Sequence, residues 1–265
     1  MECDEFKQND RTWCFWGDAL IQDLGFVDFS WSQVQVFGES QRIDPYTYHH
    51  CRSEAFYAFV KNALASSGHI DWCFGRVVAT RQIGSQVSVD IQIDNDAGVE
   101  NLNVAAEWFF GSGGASVKTS EIALWQSFVG WRVKSKSGET IFDSAACTLM
   151  DFRIEQRRKT RFLYVLPFSG EEALIEVTQF DKEILGLEEG QRMLQEICEM
   201  RGWDVSMTEL EQNAIPMSSI FDCSERFHAP DTRIVPLGVV AGALKPTTGY
   251  GFLRMMQHGK SIASA

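Results

Sequence analysis

Apolar and polar residues alternate along 31–37, the two-residue period of a strand with one buried face. From 52 to 65 the period lengthens. Ala55, Phe56, Phe59, Val60, Ala63 and Leu64 fall on one side of a helix, and Gly68 follows as its stop. Strand patterns resume at 76–81 and 86–93, joined by a turn at Gly84-Ser85. Residues 94–118 read as loop-rich. A dense series follows at 122–133, 140–154, 161–167 and 173–180, interrupted by basic and glycine turns, and predicts a broad antiparallel sheet. Asp181 is placed to cap a helix running to Arg201, with Ile184, Leu187, Met193, Leu194 and Ile197 inward. A short strand pair near Met207 and Ile215, a strand at 234–238 and a glycine-rich turn into a helix after Gly251 complete the pattern. The expected fold is mixed α/β (α+β): a large sheet domain at 96–215, and a nucleotide-type layer divided between 1–95 and 216–265.

Composition narrows the function without choosing it. The 265 residues are 45% hydrophobic and 23% charged, as in ordinary globular domains. A net charge of −12 argues against nucleic acid and against electrostatic attachment to anionic lipid, both of which need clustered Lys and Arg. No apolar stretch approaches the roughly 20 residues of a spanning helix. Seven cysteines lie scattered without a C-x-x-C pair, which reads as reduced thiols in a cytoplasmic protein rather than a disulfide or zinc framework. Eight Trp and nineteen Phe suit a dense core or a large apolar site.

Three segments carry candidate chemistry. From Gly238 to Gly251 an apolar strand enters small residues and then a helix; glycine lets a ligand approach the backbone, and free N–H groups favour an anion or carbonyl oxygen. The same pattern also makes a tight strand-to-helix turn with no ligand. Glu176 lies inside a strand, sharing a face with Leu174 and Thr178. On an apolar face its carboxyl would hold a proton and serve as a general acid; on an edge strand it would simply face solvent. Asp151 and Arg153 share a side of their strand and support one another or a cofactor. His49-His50 has no third ligand at helical spacing, Phe110-Gly111-Ser112-Gly113-Gly114 lacks the lysine of a phosphate loop, and Arg157-Arg158-Lys159 reads as a solvated turn.

Seven blocks, in order along the chain, resemble the flavin-dependent lycopene cyclases of the bacterial β-cyclase type. They are residues 9–16 (NDRTWCFW), 126–131 (QSFVGW), 149–153 (LMDFR), 162–167 (FLYVLP), 173–178 (ALIEVT), 215–217 (IPM) and 245–250 (KPTTGY). The resemblance implies a partial FAD-binding fold of the hydroxylase-like type with a large antiparallel sheet on the substrate side. It implies closure of the ends of lycopene, or a related linear carotene, into β-ionone rings with no net redox change. Reduced FAD is the implied cofactor, NADPH or NADH its reductant, and the implied location is cytoplasmic and peripheral to a membrane, with no metal and no nucleic acid.

The family's critical glutamate falls on Glu176. The arginine opening the helix near the flavin dinucleotide falls on Arg52, and the second flavin-contacting segment on Gly238 and on Pro246, Thr247, Thr248, Gly249 and Tyr250. Glu2 matches the ribose-binding acid, while Asp151, Arg153 and Trp131 are expected to support the active site. Val239 stands where many related hydroxylases carry aspartate, which favours the cyclase branch. The G-x-G-x-x-G unit that opens the family and its C-terminal helices are not found in the chain. It is therefore expected to be a fragment or a naturally short form, with weak FAD binding and no activity alone. The competing readings are a flavin monooxygenase acting on an apolar substrate and a non-catalytic remnant.

Overall fold

A computed structural model describes residues 12–17, 25–65, 67–95, 98–112, 124–217 and 231–265. The chain opens with strands β1 (Thr12–Gly17), β2 (Phe29–Trp31), β3 (Gln33–Val36), β4 (Glu39–Arg42) and β5 (Thr47–Arg52), then helix α1 (Ser53–Ala65). Strands β6 (Arg76–Ile83), β7 (Gln86–Asn95), β8 (Gly98–Ala106) and β9 (Phe109–Gly111) follow. Next come β10 (Leu124–Ser135), β11 (Ala146–Asp151), β12 (Thr160–Pro167), β13 (Glu172–Asp181), helix α2 (Leu187–Arg201) and β14 (Val205–Met217). Strand β15 (Ile234–Pro236) and helix α3 (Phe252–Ala263) end the series.

These elements form two compact units, residues 9–56 with 123–217, and residues 1–8, 57–122 and 218–265. The units cut the chain differently from the three expected spans. Strand β3 runs parallel to β11, Gln33 opposite Ala146, and so joins the large sheet instead of a nucleotide layer.

In the first unit that sheet has seven strands, ordered β14-β10-β13-β12-β11-β3-β4. Alternation along β10, β12 and β13 turns Val129, Val133, Leu163, Val165, Ile175 and Val177 to one face, where Met193, Leu194 and Ile197 of α2 cover them. Each such side chain contributes about 1.5–3 kcal/mol on burial, so this face anchors the unit. Gly190 lets the helix approach: a Cβ there would stand 2.4 Å from Val129 Cγ2. The opposite face meets a smaller sheet, β1-β5-β2. Thr12 Oγ1 donates to Glu211 of β14 at 3.0 Å, and Trp31 Nε1 donates to the Pro167 carbonyl at 3.0 Å.

The second unit contains the meander β6-β7-β8, whose Val87, Val89 and Ile91 pack with Phe109 and Ile234. Strand β15 pairs in parallel with β9 and leads into a single 3-10 turn, Gly238–Ala241.

Several elements depart from the periodicity. The strand expected at 31–37 is broken at Ser32, so that β2 and β3 belong to different sheets. Residues 98–106, read as loop, form β8, whose side chains are nearly all exposed and give no buried alternation. Asp181 ends β13 and accepts the Glu183 amide at 2.9 Å in a local turn; the helix starts at Leu187 behind an uncapped Gly186. The two short strands near 207 and 215 are one 13-residue strand, β14.

Candidate active site

Glu176 stands in the middle of β13, its face shared with Leu174 and Thr178 as the alternation requires. The register places Tyr164 of β12 on one side of it and Gly130 of β10 on the other, and beyond Gly130 lies Glu211 of β14. Tyr164, Glu176, Gly130 and Glu211 thus form a row across four strands, on the face covered by the smaller sheet. Because position 130 has no side chain, Glu211 lies over it. A Cβ there would be 3.0 Å from Glu211 Cγ, 3.1 Å from its Oε1 and 3.3 Å from Leu174 Cδ1.

Each carboxyl is held by a threonine. Thr178 Oγ1 donates to Glu176 Oε1 at 2.8 Å, and Thr12 Oγ1 donates to Glu211 Oε2 at 3.0 Å. Both residues are half-buried by surface area, but their carboxyl ends are crowded by protein, and Glu211 Oε1 is sealed from solvent. Burial raises the pKa of Glu176 well above the ordinary carboxyl value, and the negative charge of Glu211 raises it further, against the lowering bond from Thr178. Burial also raises Glu211, while Thr12, Glu176 and His50 pull it down. Cys14 of β1, hydrogen-bonded to Tyr48, is raised chiefly by burial at the same place. The arrangement favours the protonated form of the Glu176 carboxyl over its ordinary balance, and the protonated form is the one a general acid needs.

A cleft of about 30 Å³, room for a water molecule, opens beside Glu211 between Thr12, His50, Arg52, Arg132 and Glu209. His50 is buried, with its Nδ1 2.6 Å from Asp28 Oδ1. The His49-His50 pair therefore lies inside β5, where Ser30 Oγ and His49 Nδ1 are 2.8 Å apart. Sequence reasoning weighed these histidines only as metal ligands, met Thr12 and Gly130 only as members of the family-like blocks, and missed Glu211. The readable signal was the Glu-x-Glu spacing at 209–211 and a lone glycine within an aromatic strand.

The remaining expected residues separate. Arg52 Nη2 reaches both carboxylate oxygens of Glu209 at 3.1 Å, so its guanidinium is engaged within the first unit. Trp131 alternates with Gly130 and packs against the core under α2, on the sheet face opposite Glu176; its support is to the core. Asp151 and Arg153 do support one another, through Nε–Oδ1 and Nη2–Oδ2 bonds of 2.8 and 2.9 Å. Arg201, at the end of α2, adds a third bond to Asp151 at 3.0 Å, so the pair ties strand to helix. Its place opposite Leu163, which points into the α2 core, puts it away from the Glu176 face. Glu2 lies outside the described residues.

In the second unit, residues 245–250 fold into a tight bend. The Lys245 amide donates to the Tyr250 carbonyl at 2.9 Å, and the Thr248 and Gly249 amides donate to the Lys245 carbonyl at 3.2 and 2.8 Å. Gly238 has a φ of +64°, and a Cβ there would meet only Ser112, at 3.9 Å. Thr248 Oγ1 is sealed without a hydrogen-bond partner among the described residues. An orphan hydroxyl and an open glycine backbone fit the polar edge of a flavin. Among the described residues no helix is long and apolar enough to cross a membrane.

The family model described as "Lycopene cyclase protein" matches residues 3–265. The lycopene beta-cyclases of Pseudescherichia vulneris and Pantoea ananas are 27% identical over 144 residues and 28% identical over 129. These matches cover 53% and 47% of this chain but only 36% and 32% of the relatives, about a third of their length. A geranylgeranyl bacteriochlorophyll reductase-like protein of Thermoplasma acidophilum shares the fold with a TM-score of 0.68 at 14% identity, over 99% of this chain and 68% of that one. The 2,6-dihydroxypyridine-3-hydroxylase of Arthrobacter nicotinovorans gives 0.55 at 13% identity, over 92% and 70%. At such identities the likeness is one of fold, the mixed α/β fold of hydroxylase-like flavoproteins, as the sequence predicts.

Proposed function

Because this chain belongs to the lycopene cyclase family, we propose that it takes part in the cyclisation of linear carotene ends to β-ionone rings, with Glu176 as the acid. Lycopene, or a related linear carotene, is the substrate. Glu176 donates its proton to the terminal double bond of the end group, leaving a tertiary carbocation. The neighbouring double bond attacks this cation and closes a six-membered ring, and the cyclic cation then gives a ring proton to water or back to the Glu176 carboxylate, which restores neutrality. The product is an isomer of the substrate, so atoms and electrons balance without an oxidant.

The observation that carries this reading is the environment of Glu176: half-buried, held by Thr178 and raised in pKa by burial and by Glu211. A solvent-facing glutamate would be ionised at neutral pH and unable to protonate an alkene. FAD, when bound in reduced form, supplies electron density that stabilises positive charge or assists proton transfer. Gly238 and residues 246–250 would hold its polar edge, with NADPH or NADH as its reductant. The apolar substrate resides in bilayers, so peripheral contact with a membrane through apolar surface belongs to the same proposal.

Expressing the full-length gene that encodes this chain in lycopene-accumulating cells tests the reaction type. A cyclic carotene of unchanged mass is the expected product. An oxygenated carotene would assign the fold to monooxygenase chemistry instead.

A further inference from the structure

We propose that Glu211 is the positioning partner of Glu176: the two carboxyl groups share a single proton across the side-chain-free position Gly130. The idea rests on Glu176 being the acid, and gives Glu211 the task of keeping the proton at that site between turnovers.

Three observations converge. First, Gly130 is the register partner of both glutamates, and the volume a side chain would fill there is occupied by Glu211. Second, the threonine bonds leave Glu211 Oε1 sealed and without a donor among the described residues. A buried carboxylate oxygen with no donor is unfavourable, and a proton carried by the facing carboxyl supplies what is missing.

Third, among the described residues no Lys or Arg is dedicated to the pair, and His50, the imidazole that acts on Glu211, is held by another carboxylate. From β5, Arg52 is engaged by Glu209 of β14, and His50 is bonded to Asp28. From β10, Arg132 lies over the Phe168 ring at 4.3 Å. Among the described residues, Cys14 of β1, with Tyr48 of β5 bonded to it, and Tyr164 of β12 are further titratable side chains beside the two carboxyls, and none is cationic. Among the described residues neither Glu176 nor Glu211 has an ion pair with Lys or Arg. Two like charges so placed do not both ionise at neutral pH; one proton stays.

Infrared titration of the purified chain, with 13C-labelled glutamate to identify the carbonyl stretch of protonated carboxyls, reads the pair directly and without cyclase activity. The wild type should show two separate titration steps, with one protonated carboxyl persisting at pH 7. Glu176→Gln should remove that upper step. Glu211→Gln should lower it by at least one pH unit, a ten-fold loss of proton affinity, and Glu211→Asp should restore at least half of the shift. A single wild-type step, no protonated band at pH 7, or an upper step unmoved in Glu211→Gln would overturn the proposal. Should Glu211→Gln fail to fold, the wild-type two-step titration and Glu211→Asp still decide it. Cyclic product formed by a wild type lacking the shared proton would sink this inference alone; a shared proton without cyclic product would sink the cyclase reading alone.

Discussion

At the scale of single residues the site depends on what Gly130 lacks. A valine there would push into Glu211 Cγ and Leu174 Cδ1, which already lie about where its Cβ would touch. Gly130→Val should cost about 1–3 kcal/mol in urea unfolding, the range for overpacked sites, despite the better strand propensity of valine. The carboxyl pair itself opposes folding as pH rises. Both glutamates have folded pKa values raised above their unfolded ones, so the stability they permit is complete below the unfolded value and is lost as pH climbs through the folded one. Glu211→Gln should therefore unfold at higher urea than wild type at pH 8, with the gap closing toward pH 4. Asp151 behaves in the opposite sense. The Arg153 guanidinium, against the upward effect of burial and with help from Arg201, holds it down to about 2. Its contribution is present above the ordinary carboxyl pKa and fades as pH falls from 4 toward about 2. Asp151→Asn should cost about 2–4 kcal/mol at pH 7 and much less at pH 3 in the same assay.

At the scale of elements, strands that alternate over one buried face, such as β10 and β13, were readable, whereas β5, buried on both faces through a run of polar and aromatic residues, was not. The alternation around Glu176 put Leu174, Glu176 and Thr178 on one side, and β13 has that register. It held no information about strand neighbours. Glu211 meets Glu176 only because β10 lies between β13 and β14, a pairing of residues 35 positions apart in sequence that periodicity does not specify. Trp131 shows the converse: it adjoins Gly130 in sequence, yet strand geometry sends it to the far face. Strand β8 carries a short apolar stripe at Leu102, Val104 and Ala106, opposite Ile91, Val89 and Val87, which the loop reading missed because it spans only three positions among exposed residues. Helix α2 sits on the sheet through Gly190, and Gly190→Leu should lift it from Val129. A loss of about 1–3 kcal/mol in thermal or urea unfolding is expected, with a weakened near-ultraviolet signal from Trp203, which packs at the same core.

At the scale of the whole molecule, the first unit holds a row of two half-buried carboxyls raised in pKa, and the second an open glycine turn with an orphan hydroxyl. The family resemblance in the sequence was carried by blocks on both units, from residues 9–16 to 245–250. Family membership over residues 3–265 agrees with that reading, while the role of each site residue rests on its local chemistry. The claim at the centre is that the Glu176 proton starts ring closure. Carotene products from lycopene-accumulating cells carrying the full-length wild-type gene or its Glu176→Gln variant test it most directly. The account predicts cyclic carotene with the wild type and at least a hundred-fold less with the variant at equal levels of folded protein, the scale of losing one general acid. Undiminished cyclic carotene from Glu176→Gln would contradict it.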